Sequence, residues 1–192
     1  YATGVSNGAQ MAYRLACEIS YRIAAIAPVA GGMVYQNCDP QFSVSIMQFH
    51  GTADPGWPYS GGPSCFVDDV FPPINTTLSN WSMFNNCSGQ KSIFFQNGTV
   101  SCENQECSEN SNIILCTVDN GGHTWPGGYT FPIEKIASWD STCALGTGIG
   151  VGNTTQDISA TDAMWEFFNR HERILTSGDY NFSFIPVFWD FL

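Results

Sequence analysis

Basic side chains are scarce in this sequence of 192 residues, which holds six Lys and Arg residues against seventeen Asp and Glu residues. The resulting formal net charge of -11 is opposite in sign to a surface that binds nucleic-acid phosphates, so nucleic acid is excluded as an expected partner. Long apolar runs are also lacking, and without about 20 consecutive apolar residues the sequence predicts no membrane-spanning helix and no membrane partner. A hydrophobic fraction of 43% is still too high for a disordered chain, so we expect a globular domain.

The sequence lacks the Cys-x-x-Cys pairs and nearby histidines of a structural zinc site, and it shows no nucleotide-binding motif, so we expect neither metal nor cofactor. Eight cysteines are present instead: Cys17, Cys38, Cys65, Cys87, Cys102, Cys107, Cys116 and Cys143. Six N-x-[ST] sequons accompany them: Asn75, Asn80, Asn86, Asn97, Asn153 and Asn181. An even number of cysteines and several sequons together predict a secreted, disulfide-bonded glycoprotein, with a cytosolic protein carrying free cysteines as the alternative. Because the chain begins at Tyr1 without a signal peptide, we expect that a leader has been removed upstream.

Short apolar runs alternate with helical patterns along the chain. Four runs predict β-strands: residues 22–30, 45–50, 92–96 and 112–118. Three segments predict helices: residues 9–18, 76–86 and 160–171. The polar segment 97–112 holds two cysteines and predicts a disulfide-tied loop. Strands that alternate with helices favour an α/β architecture with buried parallel strands.

Residues 4–8, Gly-Val-Ser-Asn-Gly, match the G-x-S-x-G pattern directly before a predicted helix. In this pattern a strained turn between a strand and a helix raises a serine hydroxyl above the sheet, and small flanking residues allow the turn. Ser6 is therefore a candidate nucleophile. The alternative is a glycine-rich turn that needs its glycines only for positive φ.

A serine nucleophile needs an imidazole as general base, and the chain holds three histidines. His123 lies in a glycine-flanked loop after the strongest late strand, where an α/β sheet places its ligand-facing residues. His50 ends a predicted strand and His171 ends the last predicted helix, and we interpret both as structural residues. His123 is therefore the candidate base.

The carboxylate that orients the base is expected between the serine and the histidine in chain order. Asp54 directly follows a predicted buried strand, and an α/β sheet places its ligand-facing residues in the loops after its strands. Four other aspartates are rivals: Asp39, Asp68, Asp69 and Asp119. Loop position favours Asp54 over them.

Three stretches, residues 1–18, 49–62 and 120–128, together resemble the secreted esterases grouped as polyhydroxybutyrate depolymerase-like and feruloyl esterase-like enzymes. The motifs are Gly-Val-Ser-Asn-Gly, His-Gly-Thr-Ala-Asp and Gly-Gly-His-Thr-Trp-Pro-Gly-Gly. The resemblance implies an α/β-hydrolase catalytic domain over residues 1–171, and leaves residues 172–192 as a tail of unknown structure. It implies the same three catalytic residues as the motif positions: Ser6, Asp54 and His123.

The expected reaction is hydrolysis of carboxylic esters through an acyl-enzyme, on feruloyl or other phenolic esters or on polyester substrates, including polymeric ones. The backbone N–H of Asn7 is the expected first donor to the oxyanion. In the resembled family a second donor comes from a His-Gly loop upstream of the serine, and only three residues precede Gly4 here. We therefore expect the chain to be a fragment that lacks the N-terminal strands of the fold.

Three aromatic residues near the motifs are candidate substrate contacts: Trp57, Tyr59 and Trp125. Core packing explains each of them as well. Two further functions stay open at this point. One is a serine peptidase of the same fold, and the other is a secreted binding module that has lost the oxyanion loop and no longer catalyses a reaction.

Overall fold

The computed structural model describes residues 1–35, 37–129 and 151–172, and these form a mixed β-sheet with helices on both faces. The main sheet has six strands in the order β1-β2-β3-β8-β7-β6. Its strands are β1 (Ala2–Val5), β2 (Ala25–Val29), β3 (Ser45–Gly51), β6 (Lys91–Asn97), β7 (Val100–Glu106) and β8 (Asn112–Val118). The four strands from β1 to β8 in that order are parallel, and β7 and β6 add antiparallel pairs. A separate two-stranded hairpin joins β4 (Gly62–Pro63) to β5 (Val70–Phe71).

Three helices cover the sheet: α1 (Asn7–Glu18), α2 (Ile74–Phe84) and α3 (Ala160–Phe168). The buried residues of α1 recur with helical spacing and form one face: Ala9, Ala12, Tyr13, Ala16 and Cys17. Helices α1 and α2 share one hydrophobic cluster with the sheet, and α3 contributes to a second cluster. Strand β2 connects the two, since Ile26 belongs to the first cluster while Ala25 and Val29 belong to the second. The sheet is therefore buried between two helical layers, as expected for α/β.

The predicted strands and helices correspond to observed elements, with ends that differ by a few residues. Residues 25–29 and 45–51 are fully buried parallel strands, as predicted. The last helix ends at Phe168 rather than at residue 171. Its predicted cap is present, because the Ser159 hydroxyl accepts a hydrogen bond from the Asp162 N–H at 3.3 Å.

The prediction of a loop over residues 97–112 is wrong for its middle part. Val100–Glu106 form β7, which pairs with β6 on one side and β8 on the other. Its polar sequence hides the strand, because only one face is buried, through Val100 and Cys102 at alternate positions. Backbone hydrogen bonds to β6 and β8 supply the remaining stabilisation of β7, and such bonds leave little trace in a sequence.

Within the described part of the chain, the structure forms three disulfides: Cys17–Cys38, Cys87–Cys107 and Cys102–Cys116. The last bridge joins residues that lie opposite each other in the antiparallel pair of β7 and β8. Three disulfides in a chain of this size fit the oxidising environment outside the cell. Of the six sequons, Asn75, Asn86, Asn97 and Asn153 are exposed and Asn80 is half-buried, while Asn181 lies outside the described residues.

No helix in the described part of the chain is long and apolar enough to cross a membrane. Apart from Glu172, the predicted tail over residues 172–192 lies outside the described residues.

Candidate active site

Ser6 occupies the sharp turn between β1 and α1, at the carboxyl end of a parallel strand. Its backbone has a φ of 58° and a ψ of -118°, a strained conformation for a residue with a side chain. The turn holds this shape because the Ser6 N–H donates to the Val29 carbonyl at 2.9 Å and α1 begins at the next residue. The Ser6 side chain makes no capping hydrogen bond to α1. The hydroxyl is therefore not engaged in holding the helix.

The glycine at the start of the motif is required by close packing. A Cβ on Gly4 would lie 2.7 Å from the backbone carbon of Gly8, which is closer than real Cβ contacts allow. The first turn of α1 therefore approaches β1 so closely that no side chain fits between them. This is the physical reason for small residues around the serine in G-x-S-x-G.

Asp54 lies in the loop after β3 and is 4% exposed. Its Oδ1 accepts hydrogen bonds from the backbone N–H groups of Gly56, at 2.7 Å, and Trp57, at 2.8 Å. Backbone donors of this kind stabilise the ionised form of a buried carboxyl group. The loop itself thus fixes the orientation of the carboxylate.

His123 lies in the loop after β8, and its Nδ1 is 2.8 Å from Oδ1 of Asp54 and 3.0 Å from Oδ2. An ionised carboxylate can only accept, so Nδ1 carries the proton and Nε2 keeps a free lone pair. The backbone of His123 is held by a hydrogen bond from its N–H to the Val151 carbonyl at 2.5 Å. The structure therefore forms a buried Asp–His pair of the kind that general-base catalysis uses.

Ser6 and His123 line one cavity of about 540 Å³. Helix α1 contributes Asn7 and Gln10 to its wall, and the hairpin of β4 and β5 contributes most of the opposite side. Within the described residues, the Ser6 hydroxyl and the His123 ring share this cavity without a hydrogen bond between them. Such contacts are often long before a substrate binds.

The Asn7 N–H is one of the first backbone donors of α1, and Asn7 lies in the cavity wall. The first four N–H groups of a helix have no partner within the helix and carry the positive end of its dipole. This end of α1 therefore favours negative charge beside Ser6.

Aromatic and aliphatic side chains of the hairpin line the same cavity as Ser6. Phe66 meets the His123 ring edge to face, with ring centroids 5.1 Å apart. Phe71 stacks on Trp57 at 4.0 Å, and the Trp57 Nε1–H donates to the Pro72 carbonyl at 3.1 Å. Val67 and Val70 stand at the rim and are 50% and 76% exposed. The wall offers apolar contact to a bound group.

The three aromatic candidates for substrate contact lie in different surroundings. Trp57 lines the cavity, although it is 1% exposed. Tyr59 packs its ring against His50 and shares a hydrogen bond with the Thr117 hydroxyl, outside the residues that line the cavity. Trp125 packs on the cluster under α3, and its Nε1–H donates to the Thr161 hydroxyl. Of the three, only Trp57 belongs to the residues that line this cavity.

Neither of the two remaining histidines is among the residues that line this cavity. His171 follows α3, with its Nδ1 2.8 Å from the Phe167 carbonyl. His50 is fully buried behind Asp54, with its Nε2 3.5 Å from the carboxylate. Sequence reasoning did not anticipate this contact, although the spacing of four residues between His50 and Asp54 was visible. It also missed the hairpin wall, whose signals were Gly61-Gly62 on one side and Pro72-Pro73 on the other.

Of the rival aspartates, Asp69 lies in the hairpin and lines the cavity. Asp119 accepts a hydrogen bond from the Thr52 hydroxyl at 3.3 Å, and Asp39 and Asp68 are exposed. The described residues hold no group of three or more His, Cys, Asp and Glu side chains that could bind a metal ion.

No family model matches the sequence. The chain is 32% identical over 133 residues to feruloyl esterase B of Piromyces equi, across 64% of this chain and 24% of the relative. It is 28% identical over 173 residues to feruloyl esterase C of Emericella nidulans, across 88% of this chain and 48% of the relative. It is 27% identical over 185 residues to NocK of Nocardia uniformis subsp. tsuyamanensis, whose name assigns it provisionally to the esterases.

The chain thus spans between about a quarter and a half of the length of these relatives. The names of these relatives are those of esterases.

Proposed function

We propose that this protein is a secreted serine esterase in which Ser6 is the nucleophile, His123 the general base and Asp54 the carboxylate that orients it. The observation that carries the proposal is the Asp54–His123 hydrogen bond at 2.8 Å, beside a cavity that His123 shares with a strained serine. The similarity to proteins named feruloyl esterase supports the same class of reaction.

In the proposed reaction, Ser6 attacks an ester carbonyl carbon while Nε2 of His123 takes the hydroxyl proton. The proton then passes to the leaving alcohol, and an acyl-enzyme forms on Ser6. Water, activated by the same imidazole, releases the acid and restores the serine. Asp54 keeps the proton of the neutral ring on Nδ1 and stabilises the imidazolium that forms in each half of the cycle.

The Asn7 N–H is the proposed first oxyanion donor, since it belongs to the positive end of α1 and lies in the cavity wall. We assign the second donor to a segment outside this sequence. In the described residues β1 pairs with β2 alone, so its other edge is open to a further strand. Accordingly, we propose that residues 1–171 are the later part of an α/β-hydrolase domain of the polyhydroxybutyrate depolymerase-like and feruloyl esterase-like group.

The proposed substrates are esters with an aromatic or otherwise apolar acyl part, such as phenolic esters or polyesters. The wall of Phe66, Phe71 and Val70 supports this class, because it offers ring faces and aliphatic area within the same cavity as Ser6. Exposed valines at the rim are compatible with a polymeric substrate that extends beyond the cavity. Exposed sequons support the further proposal that Asn75, Asn86, Asn97 and Asn153 carry glycans, together with Asn80 and Asn181.

Hydrolysis of aryl esters by the protein that includes the proposed upstream segment, and by its Ser6→Ala variant, tests the proposal. We expect Ser6→Ala to lower kcat on the order of 10⁴-fold or more, and we expect aryl esters to react much faster than peptide amides. Ser64→Ala is the matched control, because Ser64 lies in the same cavity but its hydroxyl accepts a hydrogen bond from the Phe66 N–H. Equal activity in the wild type and Ser6→Ala would contradict the proposal, and preference for amides would favour a peptidase.

A further inference from the structure

Behind Asp54 lies a chain of buried polar side chains that the proposed reaction does not use. The Tyr13 hydroxyl donates to Oε1 of Gln48 at 2.8 Å, and Nε2 of Gln48 is 3.3 Å from Nδ1 of His50. Nε2 of His50 is then 2.8 Å from the Trp57 carbonyl oxygen. Tyr13, Gln48 and His50 are each at most 1% exposed. Buried polar groups of this kind are costly unless they are paired, so their arrangement needs a reason.

The donors and acceptors fix where the proton of His50 lies. The Gln48 amide nitrogen can only donate, so Nδ1 of His50 accepts, and the Trp57 carbonyl can only accept, so Nε2 of His50 donates. Gln48 itself is held in this orientation, because its Oε1 accepts from Tyr13 and its amide also donates to the Phe49 carbonyl at 2.9 Å. His50 is therefore neutral, with its single proton on Nε2.

Burial favours the same protonation state. Desolvation lowers the pKa of His50, against the opposing effect of the Asp54 charge and of the hydrogen bond to Trp57. The other ring that faces it is Tyr59, which meets it edge to face at 5.9 Å.

The neutral His50 holds one end of the loop that orients Asp54. Two hydrogen bonds hold the backbone of Trp57, since its N–H donates to Oδ1 of Asp54 and its carbonyl accepts a hydrogen bond from Nε2 of His50. The same Nε2 of His50 lies 3.5 Å from Oδ2 of Asp54, the oxygen that His123 approaches at 3.0 Å. Loss of this donor would free the Trp57 carbonyl and allow the carboxylate to rotate.

We propose that His50 is a positioning residue for the Asp54–His123 pair: through the Trp57 carbonyl it fixes the loop that aims the Asp54 carboxylate at Nδ1 of His123. This inference rests on the proposed function for its catalytic consequence, but the positioning itself does not depend on activity. It differs from a packing role in one testable way, because only the Nε2 donor is required and not the ring.

Three substitutions separate the donor from the ring. His50→Gln places an amide N–H near the position of Nε2. The shorter amide of His50→Asn reaches only the position of Nδ1, where its oxygen can accept from Gln48 and its N–H cannot reach the Trp57 carbonyl. His50→Leu removes the donor and keeps most of the bulk. We expect His50→Asn and His50→Leu to lower kcat by about tenfold to a hundredfold with little change in KM, and His50→Gln to retain most of it. Equal kcat in the Gln and Asn variants, at matched thermal stability, would overturn the proposal.

A second readout needs no activity. With ¹⁵N-labelled histidine, the Nδ1–H proton of His123, held by a carboxylate, is expected as a downfield proton signal among only three histidines. We expect His50→Gln to keep this signal, and His50→Asn to shift it or lose it through faster exchange with water. An unchanged signal in His50→Asn would overturn the positioning role. A signal that responds as expected in a chain without esterase activity would sustain it and would count against the proposed function alone.

Discussion

Replacing Asp54 by Asn removes the charge of the carboxylate but almost none of its volume, and the structure determines how the amide must sit. Two backbone N–H groups, from Gly56 and Trp57, bind Oδ1, so the amide oxygen must take that position. The NH₂ group then occupies the position of Oδ2, which faces Nδ1 of His123 at 3.0 Å and Nε2 of His50 at 3.5 Å.

This arrangement weakens the preference for the productive tautomer of the base. The amide oxygen at the Oδ1 position, 2.8 Å from Nδ1 of His123, can still accept the ring proton, but the NH₂ group at the Oδ2 position favours the tautomer with the proton on Nε2, which cannot accept the proton of Ser6. The imidazolium of the transition state also loses its buried counter-charge. An Asp-to-Asn change in a triad of this geometry costs on the order of 10⁴-fold in kcat, and we expect a loss of that size for Asp54→Asn.

The assay is steady-state hydrolysis of an aryl ester, with thermal unfolding of the wild type and variant measured in parallel. Asp69→Asn is the control, because Asp69 also lines the cavity, on the hairpin, and makes no pair with His123 in the described residues. We expect Asp69→Asn to change kcat by less than about tenfold. If Asp54→Asn retained kcat within tenfold of the wild type while folding normally, the assigned role of Asp54 would be refuted.

Three further predictions concern the scaffold. Replacing both Cys102 and Cys116 by Ala removes a bridge across a 14-residue separation and should lower the free energy of unfolding by about 3 kcal/mol, as measured with urea under oxidising conditions. Gly4→Ala should abolish both activity and the native melting transition, because its Cβ would lie 2.7 Å from backbone, whereas Gly8→Ala meets no atom within 4 Å and should be tolerated. The lowered pKa of buried His50 means that the unfolded chain binds a proton below about pH 6.5 before the folded chain does, so stability should fall with decreasing pH by up to about 1.4 kcal/mol per unit, and less in His50→Gln. Equal activity and equal melting behaviour of Gly4→Ala and Gly8→Ala would contradict the packing argument. A pH dependence of stability that is the same in His50→Gln and the wild type would contradict the titration argument.

The buried centre of the fold was predictable because each of its strands shows its pattern within a short stretch of sequence. β2 is a short apolar run and β3 a largely apolar one, both are followed or ended by glycine, and such runs form parallel strands when both faces are covered. Since loops at the carboxyl ends of neighbouring parallel strands converge, the positions of Asp54 and His123 after β3 and β8 predicted that the two would be close. Their catalytic roles stay predictions until the substitutions are measured.

The strand beside the edge of the sheet was not predictable in the same way. β7 carries a polar sequence, and its strand structure depends on backbone pairing with its neighbours in the chain, β6 and β8. The small hairpin of β4 and β5 is similar, because two strands of two residues have no periodicity to read. Its consequence is functional, since Phe66 and Phe71 line the cavity and no motif marked them.

The interpretation of His50 as a structural residue was incomplete for a related reason. A histidine at the end of a buried strand is usually satisfied within the core, and the sequence alone did not show which groups it meets. The structure adds that its partner is the carbonyl of Trp57, a residue that also binds Asp54. Contacts through the backbone carry no signature in the amino-acid sequence.

Labelling with a fluorophosphonate, followed by intact-mass and peptide mass spectrometry, tests the central claim most directly, because the reagent reacts with a serine that an adjacent imidazole activates. The account predicts one adduct on the wild-type chain, located on Ser6, lost in Ser6→Ala and strongly slowed in Asp54→Asn. An adduct on another serine, or a wild-type chain that stays unlabelled while correctly folded, would contradict the assignment of Ser6 and favour a binding module over an esterase.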